Sequence, residues 1–144
     1  MPRLALTCLV AATLAAAPAL AGNESFFPAN PDGTVSFNMP SGNVGCTFIP
    51  AGGTAVYYTA TGQEELIGAR IEPQYLVVIL EYHLGGQRPI LSGEAPELPQ
   101  APVLDYGRFW QMGAFTCLAA RSGLTCTNSS GAGLRMSRAE VVTW

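Results

Sequence analysis

Cys117 and Cys126 stand nine residues apart, around Ala120-Arg121-Ser122-Gly123, inside two short runs of strand-forming residues. A Ser-Gly pair between such runs marks a tight hairpin turn. With Arg121-Ser122 at the tip, the two cysteines fall directly across from one another. Opposed residues on neighbouring strands place their Cβ atoms about 4.5–5.5 Å apart, slightly wide of disulfide spacing but within easy adjustment. The spacing therefore predicts a Cys117–Cys126 bridge clasping a hairpin. Closing so short a loop stabilises by about 2–3 kcal/mol in the chain-entropy model.

A disulfide requires an oxidising compartment, and the start of the chain supplies the route to one. Met1-Pro2-Arg3 gives a positive beginning. Leu4 to Ala17 is an unbroken run of Leu, Ala, Val, Thr and Cys, Pro18 breaks it, and Ala19-Leu20-Ala21 puts small residues where a signal peptidase reads. This layout predicts a secretory leader over residues 1–21, cleaved before Gly22. The apolar run falls short of the about 20 residues that a bilayer span takes, which disfavours a retained anchor. Gly22, not Cys, stands at the cleavage point, so a lipoprotein is not expected. The expected location is periplasmic or secreted, in a bacterium.

Of the 144 residues, seven are basic and all seven are Arg; losing Arg3 with the leader takes the formal net charge from −3 to −4. No basic cluster exists, which argues against nucleic-acid binding, since that needs concentrated positive charge. No second apolar run approaches membrane-spanning length. Only 12% of residues are charged, too few for a helical bundle with charge-laced faces.

Strand signals recur instead. Thr34 to Met39 alternates, with Val35 and Phe37 on one face. After the turn residues Pro40-Ser41-Gly42-Asn43 comes Val44 to Ile49, so these two runs should form a hairpin. Thr54 to Thr59 is a short strand. Leu76 to Leu80 is the most apolar run after the leader. It continues as Glu81-Tyr82-His83, and is expected to be a central strand with Leu76, Val78, Leu80 and Tyr82 on one face. Phe109 to Leu118, Leu124 to Thr127, Leu134 to Met136 and Val141 to Trp144 complete the set. The helix signals are Gln63-Glu64-Glu65-Leu66-Ile67, read as one or two turns, and Ser137 with Glu140, where the β-branched tail favours an extended chain. Leu84 to Pro102 carries four Pro and three Gly in 19 residues; it reads as a surface connection that does not pair in a sheet. Residues 22–33 read as a loose arm whose Phe26-Phe27 pair tucks onto the core. The expectation is one all-β domain over residues 34–144, a small antiparallel sandwich or partly open barrel with one hairpin disulfide.

Chemistry-bearing residues are few. With Cys8 in the leader, Cys46 is the odd thiol beside Cys117 and Cys126. It is buried and inert, reactive, or bonded to another chain, and the first reading is preferred because free Cys often behaves as a small core residue. Zinc is disfavoured, because no Cys-x-x-Cys or His-x₃-His spacing is present. His83 is the sole histidine, and Glu81 shares its strand face, which makes Glu81 and His83 a weak acid–base pair. No nucleophile motif accompanies them: there is no Gly-x-Ser-x-Gly, and without Lys no Ser-x-x-Lys. The carboxylates Glu64, Glu65, Glu94 and Glu97 have neither metal-loop nor glycosidase spacing. No cofactor is expected. Asn128-Ser129-Ser130 and Asn23-Glu24-Ser25 match the glycosylation pattern. Ser41-Gly42 before Cys46-Thr47 and Ser122-Gly123 before Cys126-Thr127 read as two similar hairpins.

Phe37-Asn38-Met39-Pro40-Ser41-Gly42-Asn43-Val44-Gly45-Cys46 resembles the opening motif of a family of small exported bacterial β domains of unknown function. Leu104-Asp105-Tyr106-Gly107, Trp110, Gly113-Ala114-Phe115-Thr116-Cys117, Ser122 to Asn128 and Ser137-Arg138 extend the likeness over most of residues 35–144. The resemblance implies an extracytoplasmic β domain with several disulfides and no established activity. It also implies a Cys in the segment matching Leu66 to Arg70, where Gly68 stands; its loss would leave Cys46 unpaired. Family members carry Gly-His-Gly-Phe where Gly131-Ala132-Gly133-Leu134 stands.

Three function classes follow. The leading one is a non-catalytic exported module that binds a protein or an envelope component. The second is a periplasmic inhibitor of a cell-wall enzyme, by analogy with lysozyme inhibitors in size and compartment. The third is an enzyme using Glu81 and His83, or Cys46.

Overall fold

A computed structural model of the chain describes residues 23–52, 62–82, 90, 91, 98 and 100–144. The alternation of Val35 and Phe37 with Ser36 and Asn38 becomes β1 (Val35–Asn38), whose apolar side chains are buried. Gly42, at φ +70°, turns the chain into β2 (Val44–Ile49). The pairing is antiparallel, with Phe37 opposite Cys46. β3 (Glu65–Arg70) and β4 (Leu76–Glu81) follow, and β5 (Ile90–Leu91) closes the first sheet in the order β1-β2-β3-β4-β5. The second sheet is a meander of β6 (Phe109–Met112), β7 (Phe115–Ala120), β8 (Gly123–Thr127), β9 (Gly133–Met136) and β10 (Val141–Thr143). Every strand pair is antiparallel. The described residues are thus all-β, and of the two architectures expected the sandwich is the one formed.

The core lies between the sheets, as sheet packing requires. Phe37, Cys46, Phe48, Leu66, Val78 and Leu80 from the first sheet meet Trp110, Phe115, Cys117, Leu124, Cys126 and Leu134 from the second. Phe48 sits between Trp110 and Phe115, with ring centroids 6.1 Å from each and edge-on geometry, a favourable arrangement for aromatic pairs. The opposite face of the first sheet is buried as well, through Ile49, Ile67, Tyr75, Val77 and Ile79. This explains why β4 is apolar from Leu76 to Leu80 instead of alternating.

Three expectations need correction. Gln63 to Ile67 is not helical: Glu65, Leu66 and Ile67 begin β3, because pairing with β2 and β4 outweighs the weak helix preference of the Glu pair. β4 is, as expected, an interior strand, paired with β3 on one side and β5 on the other. The Leu84 to Pro102 segment does enter the sheet, since Ile90 and Leu91 pair with Val77 and Leu76. The carbonyl of Pro102 accepts from the Asn38 N–H at 2.9 Å, a bond that needs no proline donor. The N-terminal arm is not loose. Glu24 bridges in parallel to Phe109, and the Arg108 guanidinium donates to Ser25 Oγ and Glu24 O, each at 2.7 Å. Phe27 stacks on Phe37 at 5.7 Å, while Phe26 is 82% exposed. The expected strand Thr54 to Thr59, the expected leader and His83 lie outside the described residues.

Gly113 illustrates how local chemistry fixes a turn. It closes the β6–β7 hairpin at φ +54°, and a Cβ there would strike the Glu64 carboxylate. That carboxylate accepts from the Ala114 N–H at 2.6 Å, so the turn is held by a residue before β3.

Candidate functional site

The predicted hairpin forms, with β7 ending at Ala120, β8 starting at Gly123, and Cys117 directly opposite Cys126. The two are joined by a disulfide, with Cα atoms 4.1 Å apart. Cys46 is free and only 4% exposed. It reaches the same place from the other sheet: the sulfurs of Cys46, Cys117 and Cys126 all lie within 4.8 Å of one another. Burial pushes the Cys46 thiol up to about 12, so it keeps its proton at neutral pH. With two sulfurs joined, this trio offers a single protonated thiol, not three thiolates for a metal.

Glu81 is the last residue of β4 and is 7% exposed. Directly across from it in the β3–β4 register stands Glu65, 1% exposed. Two buried carboxylates thus face one another across adjacent strands. Glu65 is not expected beside Glu81 from the sequence, because the Gln63-Glu64-Glu65 run reads as a helical turn and Glu65 meets Glu81 only through the β3–β4 pairing. Asn128 is buried, and its Nδ2 donates to the Glu81 carbonyl at 2.9 Å while its Oδ1 accepts from Ser130 N and Ala132 N. An amide engaged in this way is closed to glycosylation in the folded chain.

The opposite end of the sandwich carries a cleft of about 220 Å³. Three hairpin turns, one from the first sheet and two from the second, form its rim. Ser41 and Asn43 come from the β1–β2 turn, Arg121 from the β7–β8 turn, and Ser137 and Arg138 from the β9–β10 turn. The β1–β2 and β9–β10 turns are held by their own backbone bonds. Met39 N donates to Val44 O at 2.8 Å, Gly42 N to Met39 O at 2.9 Å, and Ser137 N to Glu140 O at 2.9 Å. Tyr106 enters from the connection before β6, and the Arg121 guanidinium lies 5.0 Å from its ring centroid, a cation–π contact. Met39, Val44 and Met136 make the floor, all of them buried.

Two further contacts fix the rim. Asn43 Nδ2 donates to Glu72 O at 2.9 Å, and Glu72 N donates to Asn43 Oδ1 at 2.7 Å, which ties the β1–β2 turn to the β3–β4 turn. Below the rim, Arg70 Nη1 donates to the carbonyls of Ser137 and Arg138, and its Nε to Gln74 O. Arg138 pairs with Glu72 at 2.8 Å in solvent.

The cleft was not singled out from the sequence, although most of its rim belongs to turn motifs that were. The Ser41-Gly42-Asn43, Asp105-Tyr106-Gly107, Ser122-Gly123 and Ser137-Arg138 segments are far apart in the chain, and only the two meanders bring them to one end. Among the described residues no helix is long and apolar enough to cross a membrane. No family model, curated protein or solved structure matches the chain.

Proposed function

We propose that this chain is an exported, non-catalytic domain that binds a protein or envelope component through the turn end of its sandwich. The observation that carries this reading is the convergence of turns from both sheets on one polar-rimmed cleft. Binding residues concentrate on loops held by a rigid scaffold, and here the scaffold is two packed five-stranded sheets, the second stapled across β7 and β8 by a disulfide. Export is supported by the leader-like first 21 residues and by the disulfide, which persists in oxidising compartments. The resemblance to small exported bacterial β domains points the same way, and its turn motifs supply rim residues.

A catalytic use of the other candidates finds less support. Cys46 is buried and protonated, and a thiolate is the nucleophilic form. Glu81 lies at the end of β4 remote from the cleft, paired in register with a second carboxylate.

The test is capture of a partner from envelope extract on the immobilised, oxidised chain, beside a Ser41→Trp variant whose indole would fill the cleft mouth. A protein or wall fragment held by the wild type and lost from the variant is the expected result. No retained component, or equal retention by both, would overturn this reading.

A further inference from the structure

The geometry points to a carboxylate, carried on the end of a peptide with a small aliphatic side chain, as the group the cleft receives; this rests on the cleft being the binding surface. Arg121 and Arg138 both line it, and among the described residues no Asp or Glu does. The protein as a whole carries a net charge of −3, so these guanidiniums are gathered against the prevailing sign. A third cation stands beneath them. Arg70 is 5% exposed and donates only to backbone carbonyls, two of them in the Ser137-Arg138 turn. The ion pairs among the described residues are Arg135–Glu140 and Arg138–Glu72, so no carboxylate there neutralises Arg70. Carbonyl dipoles offset part of a buried charge, and the remainder adds to the positive potential around the Ser137-Arg138 turn, which lines the cleft.

The rim has donors to spare. Arg138 uses one nitrogen on Glu72 in an exposed pair, which leaves most of its five N–H donors available. Ser41 Oγ accepts from Asn43 N at 3.3 Å, and its own proton is free to donate outward. Planar guanidiniums match a carboxylate bidentately.

Size and lining select among anions. A volume of 220 Å³ equals roughly seven waters at about 30 Å³ each, the room for a peptide end of two small residues. Met39, Val44 and Met136 offer aliphatic contact that inorganic phosphate would not use. The Arg121 guanidinium covers one face of the Tyr106 ring, which leaves less aromatic surface for a sugar acid to stack on. A peptide end with a methyl-sized side chain uses both the cations and the floor.

The experiment is an amide chemical-shift titration of the oxidised, isotope-labelled chain with four probes: acetyl-glycyl-alanine, its C-terminal amide, glucuronate and inorganic phosphate. The free acid is expected to shift the amides of Ser41 to Val44, Gly123, and Ser137 to Arg138. The amide should bind at least about tenfold more weakly, and Arg121→Gln or Arg138→Gln should each weaken the acid about tenfold, as loss of a charge-assisted contact does. Absent or scattered shifts with the free acid, equal binding of acid and amide, or a preference for glucuronate or phosphate would each overturn the assignment. The acid–amide comparison uses the wild-type chain, so it stands even where a variant folds poorly. Loss of a captured partner on Ser41→Trp without acid selectivity would sink this inference alone and leave the binding reading intact.

Discussion

Cys46 on β2 stands directly across from Gly68 on β3, in the same kind of register that sets Cys117 across from Cys126. One position is bridged and the other lacks only its second sulfur. A Cβ built at Gly68 meets nothing closer than the side chains of Leu134 and Met136, at 3.4 Å, which is ordinary contact distance. Gly68→Cys is therefore expected to close a second cross-strand disulfide with Cys46. The enclosed loop of about 22 residues should add about 3 kcal/mol by the chain-entropy argument. Thiol titration and denaturant melts check it: two free thiols in the oxidised variant, or an unchanged midpoint, would count against the register.

That relationship shows what the sequence could and could not convey. Strand content was legible because β1 alternates, β4 is a continuous apolar run, and Ser-Gly turns punctuate the second half. The Cys117–Cys126 bridge was legible because both ends sit in one hairpin, where register follows from the turn. Cys46 against Gly68 was not derivable from residue pattern, since β2 and β3 are joined by a long connection and nothing local sets their pairing. β3 itself was misread, because Gln63-Glu64-Glu65 carries helix preference while its burial depends wholly on the neighbours β2 and β4. The cleft was invisible for a similar reason: Ser41, Arg121 and Arg138 become neighbours only after both sheets have formed.

Cys46 should give the fold a distinct response to alkali. Its folded-state value is raised above the ordinary 9.0, to about 12, by burial. Below pH 9 both folded and unfolded chains hold the proton, and the full stability is present. Above it, the unfolded chain loses the proton first, so stability falls as pH rises toward the folded value, by about 1.4 kcal/mol per pH unit. Urea melts at pH 8, 9 and 10 should show this steepening in the wild type and not in Cys46→Ala, which is itself less stable throughout. Parallel slopes in the two proteins would mean that the thiol is not held in the core.

Trp144 is 49% exposed, yet it closes the edge of the second sheet. Its backbone exchanges two hydrogen bonds with Gly133, at 2.9 and 3.1 Å, and its indole Nε1 donates to Gly131 O at 3.0 Å. The ring lies where a side chain on Gly133 would go. A Cβ there would also meet the Cys126 carbonyl oxygen at 2.5 Å, a backbone atom that cannot swing aside. Gly133→Ala should thus destabilise by about 2–3 kcal/mol, in the range of overpacked sites. Trp144→Ala should cost about 1 kcal/mol, since half the ring is already in water. Chemical denaturation with tryptophan fluorescence distinguishes them; a milder loss for Gly133→Ala than for Trp144→Ala would contradict the packing.

The Asn43–Glu72 clasp should matter more to the rim than to the fold. Both hydrogen bonds are solvent-accessible, so water replaces most of what their loss removes, and Asn43→Ala should cost about 1 kcal/mol. Asn43→Asp separates the two bonds. A carboxylate still accepts from the Glu72 N–H, but it cannot donate to the Glu72 carbonyl and instead repels it, so Asp should recover no more than half of the loss. The consequence for the cleft is larger, because the clasp is what ties the Ser41–Asn43 turn to the strand connection carrying Glu72, the ion-pair partner of Arg138. Either substitution should raise the hydrogen-exchange rates of the Gly42 and Ile71 amides, which donate to Met39 O and Asn43 O, while leaving those of the disulfide hairpin unchanged. Uniform acceleration across both sheets would show that the clasp supports the whole domain, and the view of this end as a locally braced rim would fail.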